Sequence, residues 1–142
     1  MNEEELSVAV TDLASSIGLL VRRLRATNAS HELSLSQRTV IARLGREGAS
    51  TISDLARAEG MKPQSMSTTV ANLEELGLIE RRSHPTDGRQ MNIALTEKGM
   101  VVREDMKAAR QSWLAEAISK LDGHERQTLF EASMIMKRLG EQ

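Results

Sequence analysis

The most constraining feature of this chain is a change of periodicity, in a fixed order, between Thr51 and Gly99. Residues 52–59 carry Ile52, Leu55 and Ala56 at helical spacing and stop at Gly60. A second helix opens at Pro63, whose missing N–H suits a first helical turn, and closes at Gly77. Residues 78–83 and 90–95 then read as two short strands around Asp87-Gly88, a hairpin signal. Helix, turn, helix and a hairpin with a charged tip make a helix-turn-helix followed by a wing. Such a helix fits the DNA major groove, and a basic hairpin tip beside it reaches the adjacent minor groove.

The flanks are long amphipathic helices. Asn2 with Glu5 forms a capping box, and Leu6, Val10, Leu13, Ile17, Leu20 and Leu24 follow at spacings of 4, 3, 4, 3 and 4. That seam is longer than a small core needs from one helix. Residues 28–33 read as a break. Ser34 with Gln37 opens a helix to about residue 46, burying Val40, Ile41 and Leu44, and residues 47–50 read as a turn. Thr51 with Asp54 caps the next helix. A helix from Thr96 to about residue 121, ~39 Å long, carries Val102, Met106, Ala109, Trp113 and Ala117 on one stripe. Asp122 with Glu125 caps a last helix bearing Leu129, Ala132, Met136 and Leu139. The expected organisation is a dimerisation helix over 1–33, a winged helix-turn-helix over 34–95 and dimerisation helices over 96–142. The fold class is mainly α with a small β-hairpin.

Composition narrows the function. At 142 residues the chain is one domain with helical extensions, and Trp113 and Phe130 are its sole aromatic side chains. Its core must come from Leu, Ile, Val, Met and Ala. No apolar run is long enough to span a membrane, and the acidic start, Met-Asn-Glu-Glu-Glu, lacks the features of a signal peptide, so a cytoplasmic protein is expected. There is no cysteine, hence no disulfide, Cys-zinc site or thiol sensor. His31, His84 and His124 are scattered, and no metal or cofactor is expected. Neither a G-x-S-x-G nor an H-E-x-x-H motif, a phosphate loop or a dinucleotide fingerprint is present, which argues against an enzyme.

Charge argues against the nucleic-acid reading unless it is sorted in space. The net charge is −1, and residues 31–95 hold eight basic and eight acidic side chains. Arg81, Arg82 and Arg89 lie close in sequence to the hairpin tip. On the second helix of the motif Met66, Val70 and Leu73 face inward, while Ser65, Thr68 and Asn72 fall at i, i+3 and i+7 on the outer face, flanked by Gln64 and Ser67.

The pattern Leu55-Ala56, Leu73-Glu74-x-x-Gly77-Leu78-Ile79-x-Arg81, Asp87-x-Arg89 and Leu95-Thr96-x-x-Gly99 resembles the MarR family of winged-helix regulators. The flanking helices match that family in length and order. The resemblance implies a two-fold homodimer of interlocked terminal helices, here through Leu6, Val10, Leu13, Ile17, Leu129, Ala132, Met136 and Leu139. It implies double-stranded DNA with a pseudo-palindromic operator as partner. Lys62, Gln64, Ser65, Ser67, Thr68 and Asn72 would lie on the groove face. Arg89 would be the wing-tip arginine, beside Arg82, with Asp87 bracing the wing through Arg82 or Arg81. Two positions depart from the family: Lys62 stands where Ser or Thr is frequent, and Thr68 where Arg is frequent. The implied activity is repression of transcription, released by a small anionic aromatic or lipophilic effector held between the dimer helices and the reading head; the sequence does not point to pocket residues. The alternatives are a ligand-independent repressor and a winged-helix module that binds protein, which suits the neutral charge.

Overall fold

Helix starts in this protein are written in its caps. The structure, a computed structural model, describes residues 1–27 and 32–142. Among them the order is α1 (Glu3–Ala26), α2 (Leu35–Glu47), β1 (Ser50–Thr51), α3 (Ile52–Glu59), α4 (Pro63–Glu75), β2 (Ile79–Ser83), β3 (Met91–Leu95), α5 (Glu97–Ser119) and α6 (Gly123–Gly140). The three expected capping boxes are formed reciprocally: Asn2 with Glu5 on α1, Ser34 with Gln37 on α2 and Asp122 with Glu125 on α6. The Thr51 hydroxyl accepts the Asp54 amide at 3.1 Å and caps α3. Of the break expected over 28–33, residues 28–31 lie outside the described residues.

The chain divides into two compact units, 28–108 and 1–27 with 109–142, and α5 begins in the first and ends in the second. In the first unit α2, α3 and α4 bury Val40, Ile41, Leu44, Leu55, Ala56, Met66, Val70 and Leu73 against Ile79, Ile93 and Leu95 of the sheet. Val102 and Met106 close that core from α5. Arg43 ties α2 to the end of α3: its Nε donates to Glu59, and one terminal nitrogen donates to Glu47 at 3.0 Å. The hydrogen bond to Glu59 holds the guanidinium pKa above its ordinary value, against the opposing effect of desolvation.

The sheet corrects the sequence reading in three places. It has three antiparallel strands in the order β1-β3-β2, not two, because Ser50 and Thr51 pair with Ile93 and Asn92. Two residues are too few to show a period, so residues 47–50 read as a turn. Leu78 precedes β2 instead of opening it. The Leu78 amide donates to the Leu73 carbonyl at 3.0 Å and the Gly77 amide to the Glu74 carbonyl at 2.9 Å, a Schellman closure that needs the left-handed Gly77 (φ 77°). Gln90, expected to open the second strand, belongs instead to the loop over 84–90 around Asp87-Gly88, and Gly88 has no positive φ. The first strand register, Ser83 opposite Met91, holds the loop ends together.

The join between α4 and α5 explains the Leu95-Thr96-x-x-Gly99 element. Thr96 accepts the Gly99 amide at 3.1 Å, capping α5, while its hydroxyl donates to the Gly77 carbonyl at 2.6 Å. Lys98 Nζ donates to the Leu76 carbonyl at 3.0 Å. A Cβ on Gly99 would sit 2.0 Å from the Leu78 carbonyl oxygen. No other residue type lets α5 start this close to the end of α4.

The second unit is built differently. No residue of α1 or α6 is buried. Leu6, Val10, Leu13 and Ile17 are exposed along the predicted seam, as are Met136 and Leu139 on α6, while Leu129 and Ala132 are half-buried. The stripe on α5 is buried at Val102 and Met106 but only half-buried at Ala109, Trp113 and Ala117. Arg23 of α1 lies over the Trp113 ring, 5.3 Å from its centroid, a cation–π contact.

Candidate nucleic-acid interface

Helix α4 presents two faces of different chemistry. Met66, Val70 and Leu73 are fully buried. Lys62, Gln64, Ser65, Ser67, Thr68 and Asn72 are all exposed, as the 3.6-residue period requires. Between Pro63 and Leu73 the helix carries no charged side chain. Its outer face is therefore polar and neutral, able to approach base edges without the desolvation of a fixed charge. Two hydroxyls are used locally: Thr68 donates to the Gln64 carbonyl at 3.3 Å and Thr69 to the Ser65 carbonyl at 3.2 Å. Lys62, at the cap position, supplies no capping oxygen. The helix N-terminus thus keeps uncapped amides next to a cation, an arrangement suited to a phosphate. At the other end stand Glu74 and Glu75, so the helix runs from a cationic start to an acidic end.

The charge is sorted by local pairing. Arg57 pairs with Asp54 at 3.2 Å, Arg81 with Glu74 at 3.1 Å, and Arg82 with Glu80 through Nε at 2.8 Å. Two cations at the rim of the surface stand apart. Among the described residues no carboxylate lies within ion-pair distance of Lys62. The Arg89 side chain is 96% exposed and meets Asp87 only at 3.8 Å. A unit with balanced charge therefore keeps positive charge at the start of α4 and at the tip of the wing.

The wing is braced differently from the expectation. Asp87 does not reach Arg81 or Arg82, which are taken by Glu74 and Glu80. Its carboxylate accepts the Arg89 amide at 3.0 Å, and its carbonyl accepts the Gln90 amide at 3.1 Å. Sequence reasoning missed the second anchor, His84. Its Nδ1 accepts the Thr86 and Asp87 amides at 3.2 and 3.1 Å, which puts the neutral ring proton on Nε2. The signal was a side-chain acceptor two residues before a turn amide, the logic of an Asx-turn. Arg81 also has a role that the wing reading overlooked: it fastens β2 to the C-terminal end of α4.

Comparison with known proteins identifies the family of the chain. The model of the MarR family matches residues 31–90. An HTH-type transcriptional regulator of Mycobacterium tuberculosis is 38% identical over 129 residues, 91% of this chain and 90% of that protein. The HTH-type transcriptional repressor MdtR of Bacillus subtilis is 27% identical over 75% of this chain and 66% of its own length. The solved structure of a MarR family protein from Bacillus stearothermophilus superposes with a TM-score of 0.79, covering 100% of this chain and 99% of that one; at 21% identity it speaks for the fold alone. With a regulator of that identity aligned along nearly its full length, the chain belongs to the MarR family of transcriptional regulators.

Proposed function

We propose that this protein is a homodimeric, sequence-specific DNA-binding repressor released by a small anionic or lipophilic ligand. The observation that carries the reading is the exposed, uncharged face of α4 between the two outlying cations, Lys62 and Arg89. Gln64, Ser65, Ser67, Thr68 and Asn72 offer hydroxyls and amides for base edges, and Lys62 and Arg89 hold phosphate or a narrow minor groove. Arg82 adds a third cation on the wing strand once it leaves Glu80.

Dimerisation is supported by the apolar seams on α1 and α6, exposed at Leu6, Val10, Leu13, Ile17, Met136 and Leu139 and half-buried at Leu129 and Ala132. A two-fold dimer imposes its symmetry on the operator, hence a pseudo-palindrome. Repression is supported by the name of the MdtR relative. Ligand release requires only that the ligand prefer the DNA-free arrangement; a tenfold loss of operator affinity needs about 1.4 kcal/mol of preference.

The test is selection of bound sequences from random DNA, followed by titration at several salt concentrations. A two-fold symmetric consensus, bound with an affinity that falls steeply with salt, is the expected result. Salt-insensitive binding without a consensus would favour the protein-binding module instead.

A further inference from the structure

The exposed face of α4 carries methyl groups as well as polar ones. Thr68 is exposed, and its hydroxyl is turned back on the helix, donating to the Gln64 carbonyl at 3.3 Å. With the O–H committed to the backbone, the side chain offers a partner its γ-methyl and an acceptor oxygen, but no donor. Ala71 is exposed too, and residues at i and i+3 are neighbours on a helix face, so a second methyl stands beside the first. Neither residue serves the core, which takes Met66, Val70 and Leu73 from this helix. Helical side chains lean toward the N-terminus, so the pair covers the early turns of α4. Those are the turns by which a helix of this kind contacts base edges.

The face also selects by what it lacks. Guanine is most often read by Arg or Lys on O6 and N7, and no Arg or Lys stands between Pro63 and Leu73. Side-chain amides flank the methyls instead, Gln64 one turn before Thr68 and Asn72 one turn after. An amide pairs with adenine at N6 and N7. A methyl finds its match in the 5-methyl of thymine, an apolar group on the floor of the major groove.

We propose that Thr68, with Ala71 beside it, reads the 5-methyl group of a thymine in each half-site, so that A·T pairs specify the operator where α4 meets it. The proposal rests on the DNA-binding reading above and deepens it by naming the base.

The experiment starts from the operator selected out of random DNA. Each thymine of the half-site is replaced in turn by uracil, in both half-sites, which removes the 5-methyl and keeps the base pairing. At one thymine the full-length protein should lose about fourfold in affinity per half-site, the worth of one buried methyl. Two variants assign that loss. Thr68→Ser keeps the hydroxyl and removes the methyl. It should bind the thymine operator as weakly as the unaltered protein binds the uracil one, with no further loss on uracil. Thr68→Val removes the hydroxyl and keeps a methyl, so the preference for thymine should persist. Both substitutions fall on an exposed position, and circular dichroism should show an unchanged melt. A selected half-site without thymine, a uracil scan with no loss at any position, or a thymine preference that survives intact in Thr68→Ser would overturn the proposal and leave the repressor reading standing. Selection that returns no consensus at all would overturn both.

Discussion

The two units of this protein treat apolar surface in opposite ways. Residues 28–108 enclose theirs: Val40, Ile41, Leu55, Met66, Val70, Leu73 and Ile93 are wholly removed from solvent. Residues 1–27 with 109–142 leave most of theirs outside, and no residue of α1 or α6 is fully buried. Both units carry helices with apolar residues at core spacing, so sequence pattern alone does not tell them apart. The difference is what each helix meets within its own chain. A patch of large apolar side chains left in water at this scale marks an interaction surface. On the reading proposed above, the winged helix is a complete module and the terminal helices are half of a structure whose other half is a second copy.

The strongest way to break this comparison is to remove α6. A chain ending at Leu121 loses Phe130, Met134, Ile135, Met136 and Leu139, all exposed in the single chain. Covering such a side chain contributes about 1.5–3 kcal/mol, so the dimer should dissociate at low micromolar concentration. The winged helix should keep its cooperative melt. Sedimentation equilibrium and circular dichroism read the two effects separately. A truncated chain that still sediments as a dimer would show that α6 is not the covering surface.

A smaller effect sharpens the contrast within single residues. Leu73→Ala removes a side chain with no exposure and should cost about 2–5 kcal/mol through the cavity left behind. That cost should not depend on protein concentration. Leu13→Ala, on the exposed seam of α1, should destabilise in a concentration-dependent way, because its burial is gained only on association. Thermal melts over a hundredfold range of concentration separate the two. Parallel concentration dependence in both variants would mean that the winged helix has no independent stability.

What the sequence made legible follows the same division between local and distant. Capping boxes at Asn2, Ser34 and Asp122 were readable because donor and acceptor lie three residues apart. The outward set on α4 was readable because 3.6-residue periodicity assigns its faces. Strand β1 was not, since Ser50 finds its partner at Ile93. The wing brace was misread for the same reason. The family resemblance implied Asp87 with Arg81 or Arg82, but Arg81 is claimed by Glu74 on another element. The length of the tip loop was legible to within one residue, because the strand pattern on either side of Asp87-Gly88 stops at Ser83 and resumes by Met91. Gly99 could be noticed but not explained, because its reason is the Leu78 carbonyl.

Arg89 tests whether the wing is part of the reading surface. Its side chain is almost wholly exposed, so Arg89→Ala should leave the melt unchanged. It should weaken operator binding by about 1–3 kcal/mol per head if the guanidinium enters a narrow minor groove. Competition titrations against the selected operator measure this. An unchanged affinity at physiological salt would confine DNA contact to α4.

The smallest effect concerns the local pairing that keeps the winged helix neutral. Arg81 and Glu74 are 35% and 42% exposed, so their ion pair is screened and contributes about 0.2–1 kcal/mol to stability. Glu74→Gln keeps the size of the side chain, removes that pair and frees a guanidinium at the end of α4. Two consequences then separate. The melting temperature should barely move. Binding to non-specific DNA should tighten at low salt, and its log–log salt slope should steepen by about 0.9 if Arg81 neutralises one further phosphate. Glu75→Gln is the control, since it changes the net charge equally without freeing a partner. A steeper slope in Glu74→Gln than in Glu75→Gln would show that pairing, not composition, hides the DNA-binding charge of this chain. Equal slopes would place Arg81 out of reach of the phosphates and leave Lys62 and Arg89 as the cations that matter.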